Sequence, residues 1–202
     1  MYKKPTFNAL LLCGVLFFIL VSCKNKDINS QEISEKKAKD KRMETISMLY
    51  NEGKYSEFIK QTEAELKNTE SPDFYLPLSS AYGHLNNFEK AFYYARKELN
   101  INPFDYYALL TIGDLHFLTG KLDSAEIYYN KVQEIRPTYA RVYLNLAQLY
   151  TKQNNTDKAV NQYLKAILLF KQNNFNKEVI LYSKEVLKLD PNNQSAKENL
   201  KP

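Results

Sequence analysis

Residues 106–139 read YYALLTIGDLHFLTGKLDSAEIYYNKVQEIRPTY, and the stretches on either side repeat these residue types in step, 34 positions away. Aligned in columns, large residues recur at Tyr75, Leu109 and Tyr143, then at Leu78, Ile112 and Leu146. Small residues recur at Ser79, Gly113 and Ala147, rings at Tyr82, His116 and Tyr150, and alanines at Ala91, Ala125 and Ala159. Pro103 and Pro137 close two units, whereas Lys171 stands where a third proline is due. An internal period in the range of roughly 20 to 50 residues is the signature of a solenoid or array.

Each unit reads as two helices. Tyr75, Leu78, Ser79 and Tyr82 lie at i, i+3, i+4 and i+7, one face of a helix. Asn86-Asn87 breaks that helix, and a second is expected from about Phe88 to Asn100 with Ala91, Ala95 and Glu98 inward. Pro77 predicts a kink in the first helix or a late start. In the unit quoted above, Asp105 is placed to cap one helix, Gly120 to supply a left-handed turn and Asp123 to cap the next. The units fall at about 39–71, 72–105, 106–139 and 140–173, with a partial unit at 174–202. In the first, Phe58 replaces the alanine of its column, which suits a terminal cap with one free face. Ile46, Leu49 and Tyr50 give that unit's first helix one apolar stripe. Near the other end a helix is expected from about Asn176 to Leu189, so the preceding helix, from Asp157 to about Lys171, can serve two units at once; Ser195 to Leu200 can start one more.

These columns resemble the tetratricopeptide repeat, a helix-turn-helix unit with the same period. The family's tryptophan position holds Tyr75, Leu109 and Tyr143, and its Leu-Gly pair reads Leu78-Ser79, Ile112-Gly113 and Leu146-Ala147. The resemblance implies an all-α solenoid of antiparallel helix pairs, a right-handed superhelix whose concave surface is lined by first helices and binds a protein or peptide. Family geometry puts Asp73, Leu76, Ser80 and His84 in that groove from one unit, and Tyr107, Leu110, Asp114 and Phe117 from the next. Arg141, Leu144, Asn145, Gln148 and Lys152 follow from the third. The pattern is an apolar centre with Tyr107, Leu110 and Phe117 as anchors and a charged rim. Leucines at helical spacing also fit simple packing, so Leu76, Leu110 and Leu144 have a core reading beside the groove reading. Some members of the family hold a C-terminal carboxylate with Lys, Asn and Arg; here Leu76, Ser80, Thr111, Arg141 and Asn145 fill those positions, and only Arg141 brings charge.

Chemistry is sparse. His116 sits in a tyrosine column and reads as a satisfied core histidine, while His84 is a candidate to pair with Asp114. Two histidines make no zinc set, since Cys13 and Cys23 both fall in the N-terminal segment; no nucleophile stands by a base, and no glycine-rich phosphate loop occurs. The expectation is no enzyme, no metal and no cofactor. In Phe92-Tyr93-Tyr94 and Tyr128-Tyr129 some rings must point outward, because successive helical residues turn by about 100°.

At the N-terminus, Lys3 and Lys4 precede an apolar, uncharged run from Ala9 to Val21, too short for the roughly 20 residues of a spanning helix. Its end, Leu20-Val21-Ser22-Cys23, resembles the signal of bacterial lipoproteins, in which the cysteine becomes the lipid-bearing first residue. That implies a signal peptide at 1–22, lipid attachment at Cys23 and a membrane address in the cell envelope, the outer membrane where a cell has one. An uncleaved anchor is the alternative. The polar stretch 23–38 reads as a tether, and 39–202 as the array.

The formal charge of +5 falls to +3 once Lys3 and Lys4 are removed from the 28 basic residues, leaving 26 against 23 acidic. That is too mild and dispersed for nucleic acid. The expected function is a lipid-anchored adaptor holding a protein partner near a membrane; a receptor for a small glycan or peptide, using exposed tyrosines, is the alternative.

Overall fold

The computed structural model describes residues 33–67, 69 and 71–201. Cys23, the signal peptide and tether residues 23–32 lie outside them. The chain divides into two bodies, Met1–Gly53 and Lys54–Pro202. In the first, residues 33–51 form helix α1, on which Ile46 and Leu49 are buried and Tyr50 is half-buried, the expected stripe. Residues 33–38, read from sequence as tether, belong to this helix. Its exposed lysines and glutamates are good helix formers, so low hydrophobicity alone did not prevent the helix.

The second body is all helix among its described residues. In chain order it runs α2 (Tyr55–Leu66), a 3₁₀ turn (Pro72–Phe74), α3 (Tyr75–His84), α4 (Phe88–Ile101), α5 (Tyr106–Leu118), α6 (Leu122–Ile135), α7 (Ala140–Lys152), α8 (Thr156–Gln172), α9 (Asn176–Leu189) and α10 (Gln194–Glu198). Each helix packs on its neighbours in sequence, and α3, α5 and α7 also touch one another in succession. First helices therefore line one face. No described helix is long and apolar enough to cross a membrane.

The columns explain the stacking. Leu78, Ile112 and Leu146 are fully or almost fully buried, each removal from water worth about 1.5–3 kcal/mol. Ala91, Ala125 and Ala159 are wholly buried. Gly113 is tighter still: a Cβ there would stand 2.6 Å from the Tyr129 ring. Ser79, in the same column, uses its small hydroxyl to donate to the Ala91 carbonyl at 2.8 Å.

Turns set the register. Asn86, Gly120, Asn154 and Asn174 each follow a helix with φ between 58° and 76°, the left-handed region that asparagine and glycine tolerate. At every one of them the next residue's N–H reaches back to the ring-bearing column: Asn87 to Tyr82, Lys121 to His116, Asn155 to Tyr150 and Phe175 to Phe170, at 2.8–2.9 Å. The first three turns are spaced by one full repeat each, but Asn174 follows Asn154 well short of that step. A single helix, α8, thus closes one unit and opens the next, as its sequence suggested. It is 17 residues long, against 14 for α4 and α6.

Of the two caps expected from sequence, Asp105 forms and Asp123 does not. The side chains of Asp105, Asn87, Asn155 and Asn193 accept N–H bonds from the third residue on, at 2.7–3.2 Å. Asp123 is different: α6 starts one residue earlier, at Leu122, with Lys121 at the cap and no side-chain bond, so Asp123 only places its charge in the first turn. Pro77 is the third residue of α3, where its missing N–H has no helical partner to lose, and the late start absorbs it. Phe58 is almost completely buried, so its ring fills space where the other units place a methyl group.

Candidate functional site

The first-helix face is tied together by a polar node at α5, α6 and α7. Asp114 accepts from the Tyr129 hydroxyl and from Asn145 Nδ2, both at 2.7 Å on the same oxygen, while Arg141 lies 3.5 Å from the other. Burial pushes the Asp114 carboxyl up, against the opposing pull of the Tyr129 bond and the Arg141 charge. The Tyr129 hydroxyl is driven up strongly by burial and by the neighbouring carboxylate, so it stays a donor at any physiological pH. The three helices are thereby held in one register. Further along the same two helices, the Lys152 ammonium sits 4.8 Å from the centre of the Phe117 ring, a cation–π contact between α5 and α7.

Beside this node lies a cleft of about 580 Å³, within the size range of ligand pockets. Arg141, Leu144, Asn145 and Gln148 of α7 form one wall. The other comes from the end of α8 and from α9: Phe170 stacks on Tyr182 at 5.6 Å, and Phe175 meets Phe170 edge-on at 6.2 Å. Tyr139 closes one rim and carries it to Tyr107 and Tyr106, with ring centres 6.3 and 5.3 Å away. The Arg136 guanidinium covers Tyr106 at 4.6 Å. Tyr107 is 49% and nearby Phe104 74% exposed, large apolar surfaces facing water.

Of the groove residues expected from sequence, the structure gathers those of α5 and α7. Asp114, Arg141 and Asn145 meet directly, as do Phe117 and Lys152; Gln148 is exposed in the cleft wall; Tyr107 joins its rim. Leu110 is a correction: it is buried in the core cluster, the packing role that its spacing equally allowed. Leu144 divides its surface between core and cleft. Leu76 and Ser80 are half-buried on α3, and Asp73 is exposed in the 3₁₀ turn, where it accepts from Ser71 Oγ at 3.4 Å. None of the three borders the cleft.

His84 does not pair with Asp114. Its ring lies parallel on Tyr55 of α2, centres 4.4 Å apart. His116 is half-buried between Phe92 and Tyr128, at 4.8 and 5.5 Å, but its Nδ1 is buried with no hydrogen-bond partner among the described residues, so it is not the satisfied histidine expected. Burial first, then the charges of Lys121 and Arg96, hold its pKa below 6.5.

Phe170, Phe175, Tyr182 and Tyr139 were missed as site residues. A sequence signal for Phe170 existed: it stands four positions before the turn residue Asn174, as Tyr150 stands before Asn154, and so belongs to the ring-bearing column. On the second-helix side, Tyr82 and Tyr94 donate to Glu63 Oε1 at 2.5 and 3.1 Å, and Lys90 donates to Tyr82 at 2.9 Å. Burial works to raise the Glu63 carboxyl, but these hydroxyls and the Lys90 charge outweigh it and hold it below 4.5. Tyr93 points outward, 53% exposed, whereas Tyr94 and Tyr129 are buried, so each tyrosine run divides as helical geometry requires.

Residues 105–172 match the family model of the tetratricopeptide repeat. No curated protein matches the sequence. Among solved structures, a thermophilic tetratricopeptide protein of Thermus thermophilus superposes with a TM-score of 0.57 at 15% identity, covering 79% of this chain and 95% of that one. BtubC of P. vanneervenii gives 0.62 at 19%, covering 78% and 76%. MamA of Desulfovibrio magneticus RS-1 gives 0.62 at 17%, covering 78% and 88%. The fold is a tetratricopeptide-repeat solenoid.

Proposed function

We propose that this protein is an interaction scaffold, which holds a protein or peptide partner on the face lined by α3, α5 and α7 and in the cleft at the α7 end of that face. The observation carrying this reading is the cleft itself: its wall is apolar and aromatic at Leu144, Phe170 and Tyr182, amide-rich at Asn145 and Gln148, and rimmed by exposed tyrosine. Rigid aromatic anchors beside adaptable polar groups are what a protein interface needs. The Asp114 node fixes the wall before a partner arrives, which lowers the ordering cost of binding.

Address belongs to the same proposal. The basic start, apolar run and Cys23 of the sequence support lipid attachment in a bacterial cell envelope, with the N-terminal segment joining the array to the lipid. Mass spectrometry of the mature N-terminus decides this part; an unmodified Cys23 or a retained Met1 overturns it.

For the binding part, Gln148→Trp fills the cleft from an exposed position, and Tyr107→Ala with Phe117→Ala removes the rim tyrosine and the α5 ring that contacts Lys152. Partners recovered by crosslinking from membranes should be lost from both variants while circular dichroism keeps its helical signal. Recovery equal to wild type places binding elsewhere.

A further inference from the structure

The register break at α8 builds the second wall of this cleft. Because the turn at Asn174 comes well short of a full repeat after that at Asn154, the end of α8 brings Phe170 opposite α7 and α9 adds Tyr182 behind it. None of the described residues lining the cleft is acidic, and the only basic one among them is Arg141. Its side chain is 60% exposed. Asp114 does not consume it: a single guanidinium nitrogen, Nη2, stands 3.5 Å from Asp114 Oδ2, leaving most of a guanidinium's five donors for another acceptor.

Resting on the scaffold reading above, we propose that the occupant is a peptide segment carrying an internal aspartate or glutamate between apolar side chains. Its carboxylate pairs with Arg141, its apolar neighbours lie on Leu144 and on the Phe170–Tyr182 stack, and Gln148 and Asn145 meet its backbone. Charge complementarity favours this ligand over a basic one, because no carboxylate among the described wall residues answers a cation. A single cation is enough for one side-chain carboxylate.

Selection of short linear peptides from a random display library against the full chain tests this, followed by titration of the enriched sequences as amidated, acetylated peptides. The expected result is enrichment of Asp or Glu flanked by apolar residues, with binding lost on Gln148→Trp. Affinity should fall about ten-fold or more on Arg141→Gln, weaken with salt, and fall equally when the peptide's acid is changed to its amide. Enriched peptides that bind in the cleft, as judged by Gln148→Trp, yet lack an acid or ignore Arg141→Gln overturn the carboxylate proposal and leave the scaffold reading intact. Peptides indifferent to Gln148→Trp, or no enrichment at all, overturn both.

Discussion

Asn145 on α7 donates to the Asp114 carboxylate on α5 at 2.7 Å, so the first helices of successive repeats are joined by a part-buried polar bond. The same carboxylate oxygen receives the Tyr129 hydroxyl from α6. Asp114→Ala strands that hydroxyl and the Asn145 amide, and should cost about 1–3 kcal/mol in urea unfolding. Asp114→Asn keeps an acceptor and should cost less. Equal effects would mean that the charge, not the bonds, holds the node.

Gly113 and Gly83 separate packing from helix propensity. Gly113→Ala drives a methyl into the Tyr129 ring at 2.6 Å and should destabilise by about 1–3 kcal/mol, even though alanine is the better helix former. At Gly83 the added Cβ meets only the tip of Leu115 at 3.3 Å, a side chain able to give way. Gly83→Ala should stay within about 1 kcal/mol of wild type in the same measurement.

The turn at Gly120 has φ +76° and open space around its Cα, so only backbone preference decides what fits there. Gly120→Ala should cost about 1–2 kcal/mol of thermal stability. Gly120→Asn, which installs the residue used at Asn86, Asn154 and Asn174, should cost measurably less.

His116 makes acid sensitivity predictable in sign. Its folded pKa lies below the unfolded 6.5, so the unfolded chain binds the proton more readily. Stability from this site is complete above about 6.5 and declines as pH falls through that value toward the lower folded pKa. His116→Phe keeps a ring on Phe92 and Tyr128 and should flatten the unfolding free energy across this window. A wild-type profile already flat there contradicts the assignment.

Repeat columns made the helices, their order and the packing of Leu78, Ile112 and Leu146 legible from sequence, because one residue type recurring at a fixed step leaves few ways to stack. The double use of α8 was legible too, from the early second turn. The aromatic wall of the cleft was not: Phe170 and Tyr182 repeat the ring pair of Tyr82 with Tyr94 and of His116 with Tyr128, but the early turn shifts them out of step, and a column read at the regular period passes over both. Side-chain direction was the other gap. His84 could reach either neighbour from its helix end, and its flat stacking on Tyr55 decides against Asp114. Leu110 carried two compatible readings, and burial selects the core.

Everything proposed about function turns on whether a partner sits against the α7 wall. Photo-crosslinking residues placed one at a time at Gln148, in that wall, and at Ile127, exposed on the second helix α6, answer this in intact cells. A partner seated there gives a discrete protein adduct from position 148, competed away by a peptide that binds the cleft, and none from position 127. Adducts from 127 with none from 148 would contradict it.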